Sequence, residues 1–356
     1  MQDSPAGAAA LGLRHRTERG ASLEQGEQGA PLEWGEAFEQ AGLVLALTVR
    51  GAPHLHRRGE LPLLRAALWP RDNQALRAYL GGFGDTLIES GADGPGLLAR
   101  VAEELRASFP GDTATKGELS EIVSARVPEV VRPWCEGCGV AHVAEGMFRL
   151  GTLYAGLELV PGDGRKLRFR VGSGEPAVAD DDGAVRDFLM TAVRLAGPLT
   201  LADLVQWLDT RSVTAPPDWL RPVWDDLSAE LVEVEVDGER LYADPAALDE
   251  LDDVPEAPVL LLLPPRDPYL LGHRAFLVPD RGLAKEIWRP VGSAGALVIG
   301  GEPVGVWRAR KSGKTLQVTV SPQRTLTKAH RAALDGQAGV VAAARGHDGK
   351  VTVTID

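Results

Sequence analysis

The stretch from residue 184 to residue 243 limits the fold of this chain more than any other part of the sequence. Its apolar periodicity and capping residues predict three helices. Asp237-Gly238, placed between two alternating strands, predicts a two-residue hairpin turn. Three helices followed by a hairpin is the order of a winged helix. The predicted helices are 185–195, 201–208 and 218–231, and the predicted strands are 232–236 and 240–242.

The same order of elements precedes this stretch, and a β-rich region follows it. A helix at 97–109, a capping box from Thr115 to Glu118, a helix at 143–157 and two strands repeat the winged-helix order. After an acidic linker at 244–256, five strands and one helix, 327–344, are expected. The sequence therefore predicts an α+β chain of tandem winged-helix modules followed by a small C-terminal β-barrel-like domain with one helix. The expected domains are 1–90 (an N-terminal winged-helix-like module), 91–178 (a second winged helix), 179–250 (a third) and 257–356 (the β-rich domain).

Charge and composition restrict the class of partner. The net charge is −12, which argues against a protein that coats DNA along its whole surface. Residues 301–356, however, carry nine Lys and Arg against four Asp and Glu, a balance of +5. No apolar run approaches the roughly 18 residues of a membrane span, so no membrane partner is expected. Two cysteines do not make a disulfide framework, which favours a cytoplasmic location.

Three basic clusters are candidates for contact with duplex DNA. One surrounds a predicted hairpin turn near Trp307, one lies around the Gly-Ala-Pro turn at 51–53, and one lies in the second module. A solvated turn is the alternative for the first cluster, and a capping and turn cluster is the alternative for the second. The predicted helix 218–231 carries Asp225, Asp226 and Glu230, which oppose phosphate and favour a scaffold role for the third module. The candidates are Arg308, Arg310, Lys311 and Lys314; Arg50, His54, His56 and Arg57; and Arg149, Lys166 and Arg168.

A Cys-x-x-Cys-x-x-x-His pattern, Cys135, Cys138 and His142, is the nearest thing to a metal site. Zinc commonly takes four Cys or His ligands, and this pattern supplies three of them. A redox pair and two packed thiols in a tight turn are the alternatives. No other cofactor is expected. P-loop, dinucleotide-binding, Gly-x-Ser-x-Gly and His-Glu-x-x-His motifs do not occur in the sequence.

Several ordered segments together resemble the AlkZ/YcaQ-like family of bacterial winged-helix DNA-binding proteins. They are TVRGAPHLHRRGELPLLRAALWP, VRPWCEGCGVAHVAEGMFRL, LLLLPPRDPYLLGHR and WRPVGSAGALVIGGEPVGVWR. The resemblance runs from about residue 8 to the end of the chain. It implies tandem winged helices and a β-barrel-like module arranged around duplex DNA. It also implies DNA glycosylase activity on bulky alkylated bases and interstrand cross-links.

The resemblance further implies a catalytic motif near the N-terminus, of the type Gln-x-Gln, after a small apolar segment. Here Leu11-Gly12-Leu13 is followed by Arg14, His15 and Arg16, so these three residues are the catalytic candidates. Arginine has only donors and stays protonated, so it cannot orient a water as an amide or carboxylate oxygen does. A non-catalytic DNA-binding paralogue or regulator is therefore one alternative, and a protein-interaction scaffold is another. We expect Asp267, in Pro-Arg-Asp-Pro, to cap a turn.

Overall fold

The computed structural model describes residues 1–3, 5–16, 38–161, 166–173, 181–208, 220–254, 256–289 and 291–356. The predicted loop at 17–29, the turn at 162–164, Arg165 and the helix start at Pro216-Pro217 lie outside these residues. The fold mixes helices and sheets, as the sequence predicts. Among the described residues, no helix combines the length and the apolar character that crossing a membrane requires.

The helices are α1 (Ala8–Arg14), α2 (Leu61–Leu68), α3 (Asn73–Leu80), α4 (Gly82–Ser90), α5 (Gly94–Ala107), α6 (Lys116–Ser124), α7 (Glu145–Tyr154), α8 (Asp182–Ala196), α9 (Leu201–Leu208), α10 (Leu220–Ser228), α11 (Pro245–Asp249), α12 (Arg274–Leu277), α13 (Arg281–Ile287) and α14 (Lys328–Ala344). The strands are β1 (Leu43–Leu47), β2 (Pro53–Arg57), β3 (Ala114–Thr115), β4 (Trp134–Cys135), β5 (Val140–Ala141), β6 (Leu157–Leu159), β7 (Arg168–Val171), β8 (Val232–Val236), β9 (Glu239–Ala243), β10 (Leu261–Leu263), β11 (Gly295–Ile299), β12 (Glu302–Ser312), β13 (Thr315–Pro322) and β14 (Lys350–Ile355).

The chain divides into two compact units. The terminal unit comprises Met1–Ala37, Val193–Thr200 and Val232–Asp356, and the central unit comprises Phe38–Ala192 and Leu201–Leu231. The division into four domains that the sequence predicts stays a prediction.

The central unit contains a five-stranded antiparallel sheet with the strand order β2-β1-β6-β7-β3. Helix α5 packs on α7 through an apolar stripe at helical spacing, which includes Leu98, Val101 and Leu105. Gly151 of α7 allows this close packing, because a Cβ there would lie 2.9 Å from Cγ1 of Val101. The predicted capping box is confirmed, since Thr115 and Glu118 satisfy each other's backbone N–H at the start of α6.

The segment 184–243 contains the predicted elements in the predicted order: α8, α9, α10, β8 and β9. The Asp237-Gly238 turn is confirmed, because both residues have positive φ (52° and 79°), as a type I′ turn requires. Helix α10 buries Leu220, Trp224 and Leu227. Its residues Asp225 and Asp226 are exposed, so the outer face of this helix is acidic.

The terminal unit contains a second five-stranded sheet, with the order β10-β11-β12-β13-β14. The first four strands are antiparallel, whereas β14 runs parallel to β13 after the crossover helix α14. This sheet is open, with β10 and β14 at its edges, so the expected barrel-like closure is not confirmed. Helix α14 packs against both edge strands.

Candidate functional site

Helix α1 positions the three residues that the sequence singled out near the N-terminus. Its residues Ala8 to Gly12 are buried, and the helix packs on α14. Gly7 precedes α1 with φ of 85°, and a Cβ at this residue would lie 2.4 Å from the carbonyl oxygen of Ala344. The C-terminal end of α1 therefore brings His15 and Arg16 to strand β10 and to the turn that follows it.

Arg16 forms an ion pair with Asp267. Its Nη1 donates to Oδ2 of Asp267 at 3.0 Å, and its Nη2 donates to Oδ1. The Asp267 side chain is fully buried, whereas the Arg16 side chain is 33% exposed. Nη1 of Arg16 also donates to the carbonyl oxygen of Gly12 at 3.0 Å. The guanidinium is thus held as the counter-ion of a buried carboxylate.

Asp267 also caps the short 3₁₀ helix Pro268–Leu271, because its Oδ1 accepts a hydrogen bond from the backbone N–H of Tyr269 at 2.9 Å. The capping role that the sequence predicts for Asp267 is therefore confirmed. The ion pair with Arg16 was not predicted, since the two residues are 251 positions apart and no local pattern connects them.

His15 contacts the backbone of β10. Its Nε2 lies 3.2 Å from the carbonyl oxygen of Leu262, and because a carbonyl only accepts, Nε2 carries the proton in this contact. Burial lowers the pKa of His15, which favours the neutral ring. In the neutral ring the proton on Nε2 leaves a lone pair on Nδ1. His15 can therefore act as a hydrogen-bond acceptor or a base at neutral pH.

A cleft of about 310 Å³ opens in the terminal unit, between the segment before α1 and strand β12. Pro5 and Pro265 line it together with three arginines, Arg308, Arg310 and Arg345. Trp307 also lines the cleft, and its Nε1 donates to the carbonyl oxygen of Leu263 at 2.8 Å. The arginines make the cleft suitable for an anionic ligand.

Arg345 is a cleft residue that the sequence prediction missed. Its guanidinium lies 5.9 Å from the centroid of the Trp307 ring, and its Nη1 donates to the carbonyl oxygen of Ala309 at 3.4 Å. Burial lowers the pKa of Arg345. The residue directly follows α14, and no motif distinguishes it from the other basic residues of the C-terminal region.

The β12–β13 hairpin carries the predicted basic cluster. Arg308 donates to Glu286 and to the carbonyl oxygen of Gly292, so structural contacts already hold its side chain. Arg310, Lys311 and Lys314 are exposed and make no ion pair within the described ranges. These three cations are available to a phosphate backbone.

The predicted cluster at residues 50–57 lies mostly inside a turn. Arg50 has φ of 61°, in the left-handed region. His54 is buried and its Nδ1 lies 2.9 Å from the carbonyl oxygen of Ala52, while Nε2 of His56 lies 2.9 Å from Oγ1 of Thr48. Arg57 is exposed beside Glu60. The two histidines thus hold the β1–β2 turn, which is the structural alternative that the sequence left open.

The third basic cluster also contains both a residue held by structural contacts and residues that are exposed. Arg149 donates to Glu145 and to the carbonyl oxygen of Gly51, the latter at 2.9 Å, so it links α7 to the β1–β2 turn. Lys166 and Arg168 are exposed at the start of β7. Helix α7 itself is almost entirely buried, so it has little surface to offer a DNA groove.

Cys135, Cys138 and His142 come together on the β4–β5 hairpin, which connects α6 to α7. Their ligand atoms all lie within 4.8 Å of one another, and the set is compatible with zinc. The backbone N–H of Cys138 and the side chain of His142 lower the pKa of the Cys135 thiol. The hydrogen bond to the carbonyl oxygen of Val143 raises the pKa of His142.

Comparison with known proteins gives consistent matches along the chain. A family model described as "DNA glycosylase AlkZ-like" matches residues 1–344. An "Interstrand DNA cross-link repair glycosylase" of Streptomyces sahachiroi is 26% identical over 264 residues, which are 70% of this chain and 68% of that protein. The solved structure of the Streptomyces sahachiroi DNA glycosylase AlkZ superposes with a TM-score of 0.69 at 21% identity, and the match covers 100% of this chain and 91% of the other.

Proposed function

This chain belongs to the AlkZ-like DNA glycosylase family, and from that membership we propose that it removes alkylated or bulky bases from duplex DNA, cross-linked DNA included. The resemblance that the sequence indicated is confirmed. The observation that carries the proposal is the position of His15. It lies at the end of α1, where the family resemblance places the catalytic motif, and its Nε2 contacts the carbonyl oxygen of Leu262.

His15 is the proposed base. In hydrolysis of an N-glycosidic bond, the oxygen of a water bonds to C1′ of the sugar while the bond from C1′ to the base breaks, and the departing base keeps the electron pair. The sugar carries positive charge at this stage. A neutral imidazole with a lone pair on Nδ1 can orient the water and accept its proton without repelling that charge. Arg16, held on Asp267, then acts as a positioning residue for the end of α1.

The exposed cations of the β12–β13 hairpin are the proposed DNA contacts of the terminal unit. Arg310, Lys311 and Lys314 would neutralise phosphates, and Arg345 beside Trp307 would stabilise an anionic group in the cleft. In the central unit, Lys166, Arg168 and Arg57 remain the exposed candidates. We propose the segments 91–178 and 179–250 as winged-helix modules that serve mainly as scaffold, because α7 is buried and α10 is acidic on its outer face.

A non-catalytic DNA binder is the second candidate. The Asp267 side chain is fully buried in its ion pair with Arg16, so this carboxylate is not exposed to a water that it could orient. If the water is not activated by His15 either, the same surface would bind a lesion without releasing the base.

Release of free base from an alkylated duplex oligonucleotide tests the proposal. Wild type should release the base, and His15→Ala should lose about 10²- to 10⁴-fold in rate, the usual contribution of a general base. Duplex affinity, measured by fluorescence anisotropy, should remain. His330→Gln is a matched control, because it changes a half-buried histidine at the start of α14 while keeping a residue able to complete the capping box of that helix. Binding without release by the wild type would establish the second candidate instead.

A further inference from the structure

We propose that Cys135, Cys138 and His142 bind one zinc ion, through two thiolates and Nε2 of the imidazole, with a water in the fourth position. The site lies on the β4–β5 hairpin of the central unit. It is independent of the glycosylase proposal and is expected in the free protein.

The backbone of the hairpin brings the two thiols together. The N–H groups of Cys138 and Gly139 both donate to the carbonyl oxygen of Cys135, at 3.2 and 2.8 Å. Gly139 has φ of +66°, so the residue after the second cysteine takes the left-handed conformation that glycine adopts without strain.

His142 is oriented as a metal-bound histidine is. Its Nδ1 donates to the carbonyl oxygen of Val143 at 2.8 Å, which leaves the lone pair on Nε2. Histidine ligands in proteins usually donate their other ring N–H to a carbonyl or carboxylate in this way. Zn–S and Zn–N bonds of about 2.3 and 2.0 Å place tetrahedral ligand atoms about 3.5–3.8 Å apart. The present spacing, within 4.8 Å, needs only a small closure.

The hairpin buries little apolar surface of its own. Trp134 and Val140, its two large apolar side chains, are 61% and 52% exposed. Its base is anchored, where the N–H of Val143 donates to Oγ of Ser124 at 2.8 Å and the N–H of Ala144 donates to the carbonyl oxygen of Val131 at 2.9 Å. An isolated two-stranded hairpin is marginally stable in water, so a metal cross-link at its tip would supply the constraint that packing does not.

The chemistry of the ligands selects the metal. Two thiolates and an imidazole are soft to borderline donors, which favour zinc over magnesium or calcium. A disulfide between Cys135 and Cys138 is the competing use of the same two sulfur atoms, and the experiment must separate the two.

The test is the metal content of the full chain, purified under reducing conditions without chelators or metal-affinity steps. Elemental analysis should find one zinc per chain in the wild type and a stoichiometric loss in Cys135→Ser and Cys138→Ser. The zinc affinity of His142→Ala should fall by about tenfold or more, since loss of a ligand should cost at least as much as loss of a residue that only orients one. Replacement by cobalt(II) should give the thiolate charge-transfer band and the intense visible bands of a tetrahedral site.

A measurement on the unaltered wild type guards against variants that fail to fold. Mercurial titration of its thiols in the presence of a zinc indicator should release the zinc in step with modification of the two cysteines. Glu136→Gln is the matched control for the variants, because it changes an exposed carboxylate between the ligands and should keep the zinc. A wild type that contains no zinc and takes up no cobalt(II) would overturn the proposal, as would a Cys135–Cys138 disulfide that persists under reducing conditions.

Discussion

Arg16 contacts both carboxylate oxygens of Asp267, a residue 251 positions away, and the Asp267 side chain is fully buried. The arginine that the family resemblance places in the catalytic motif is therefore the counter-ion of an interior carboxylate. This ion pair ties the end of α1 to the turn after β10. It also means that the effects of changing Arg16 on stability must be separated from any effect on DNA.

Arg16→Ala should destabilise the protein by about 3 kcal/mol, because it leaves the Asp267 carboxylate buried without its partner. We take the lower end of the usual range, since Arg16 is partly exposed. Asp267→Asn should cost less, and the double variant should cost less than the sum of the two. Urea unfolding of the four proteins measures the coupling. Additive effects would show that the two side chains do not act as a pair.

Base release should depend on pH through His15. Because burial lowers the pKa of His15, its base form should predominate at neutral pH, and the rate should fall only as the pH drops below the ordinary histidine value of 6.5. Single-turnover rates from pH 4.5 to 8 check this, with duplex binding measured at each pH. A rate that rises as the pH falls would exclude His15 as the base.

The exposed cations of the β12–β13 hairpin should set the salt dependence of binding. Arg310→Ala, Lys311→Ala and Lys314→Ala combined should reduce the slope of log affinity against log salt by roughly 0.9 for each phosphate that the variant no longer neutralises. Arg289→Ala is the matched control, because Arg289 already pairs with Glu286. An unchanged slope in the triple variant would remove this hairpin from the DNA surface.

Two histidines of the β1–β2 turn, His54 and His56, should make the protein sensitive to acid. Burial lowers the pKa of His54 well below 6.5 and lowers the pKa of His56 to about 3. Because the pKa values of both histidines are lower in the folded protein than in the unfolded chain, the unfolded chain binds protons first as the pH falls. Stability should therefore be fully present above about pH 6.5. Below that pH, each histidine should lower the free energy of unfolding by at most about 1.4 kcal/mol per pH unit. For His56 this loss should continue down to about pH 3.

His56→Gln should reduce this acid slope, because the variant removes one titrating group while its amide can still bond to Thr48. Urea unfolding at pH 7.5 and pH 5.5 measures the difference. The His330→Gln variant, which changes a histidine outside the β1–β2 turn, should keep the wild-type slope. Equal slopes in all three proteins would contradict the assignment of a neutral His56 in the folded protein.

A pair of glycine substitutions tests the packing beside the cleft. A Cβ at Gly295 would lie 2.3 Å from Nε1 of Trp307 and 2.5 Å from the carbonyl oxygen of Leu263, so Gly295→Ala should break their hydrogen bond and cost about 1–3 kcal/mol. Gly336→Ala, in α14 with open space around it, should stabilise by about 0.5–1 kcal/mol. Thermal unfolding measures the stability of both variants relative to the wild type. A Gly295→Ala variant as stable as the wild type would mean that Trp307 is free to move.

Local signals predicted local structure well. The Asp237-Gly238 turn, the capping box at Thr115 and the capping role of Asp267 depend on neighbours within a few residues, and all three are confirmed. Helix α9 and strand β8 have the predicted bounds. These features could be predicted because contacts between neighbouring residues determine them.

Features that depend on contacts between residues far apart in the sequence could not be predicted in this way. The sequence pattern of five strands and a helix does not reveal that β14, which follows α14, pairs with β13 at the edge of an open sheet. A barrel-like domain was therefore expected. Likewise, the sequence does not show that His54 is buried or that Nε2 of His56 contacts Oγ1 of Thr48. The Arg16–Asp267 pair and the position of Arg345 over Trp307 join residues with no common periodicity.

The packing of α1 on α14 has a consequence for the order of events during synthesis. His15 and Arg16 leave the ribosome long before their partners Leu262 and Asp267, which follow 247 and 251 positions later. Until that point the end of α1 has no surface to dock on, and contacts of such long sequence separation form slowly. A nascent or truncated chain that ends before α14 would therefore have no assembled site, so competence for DNA chemistry would arise only after nearly the whole of this sequence has been made.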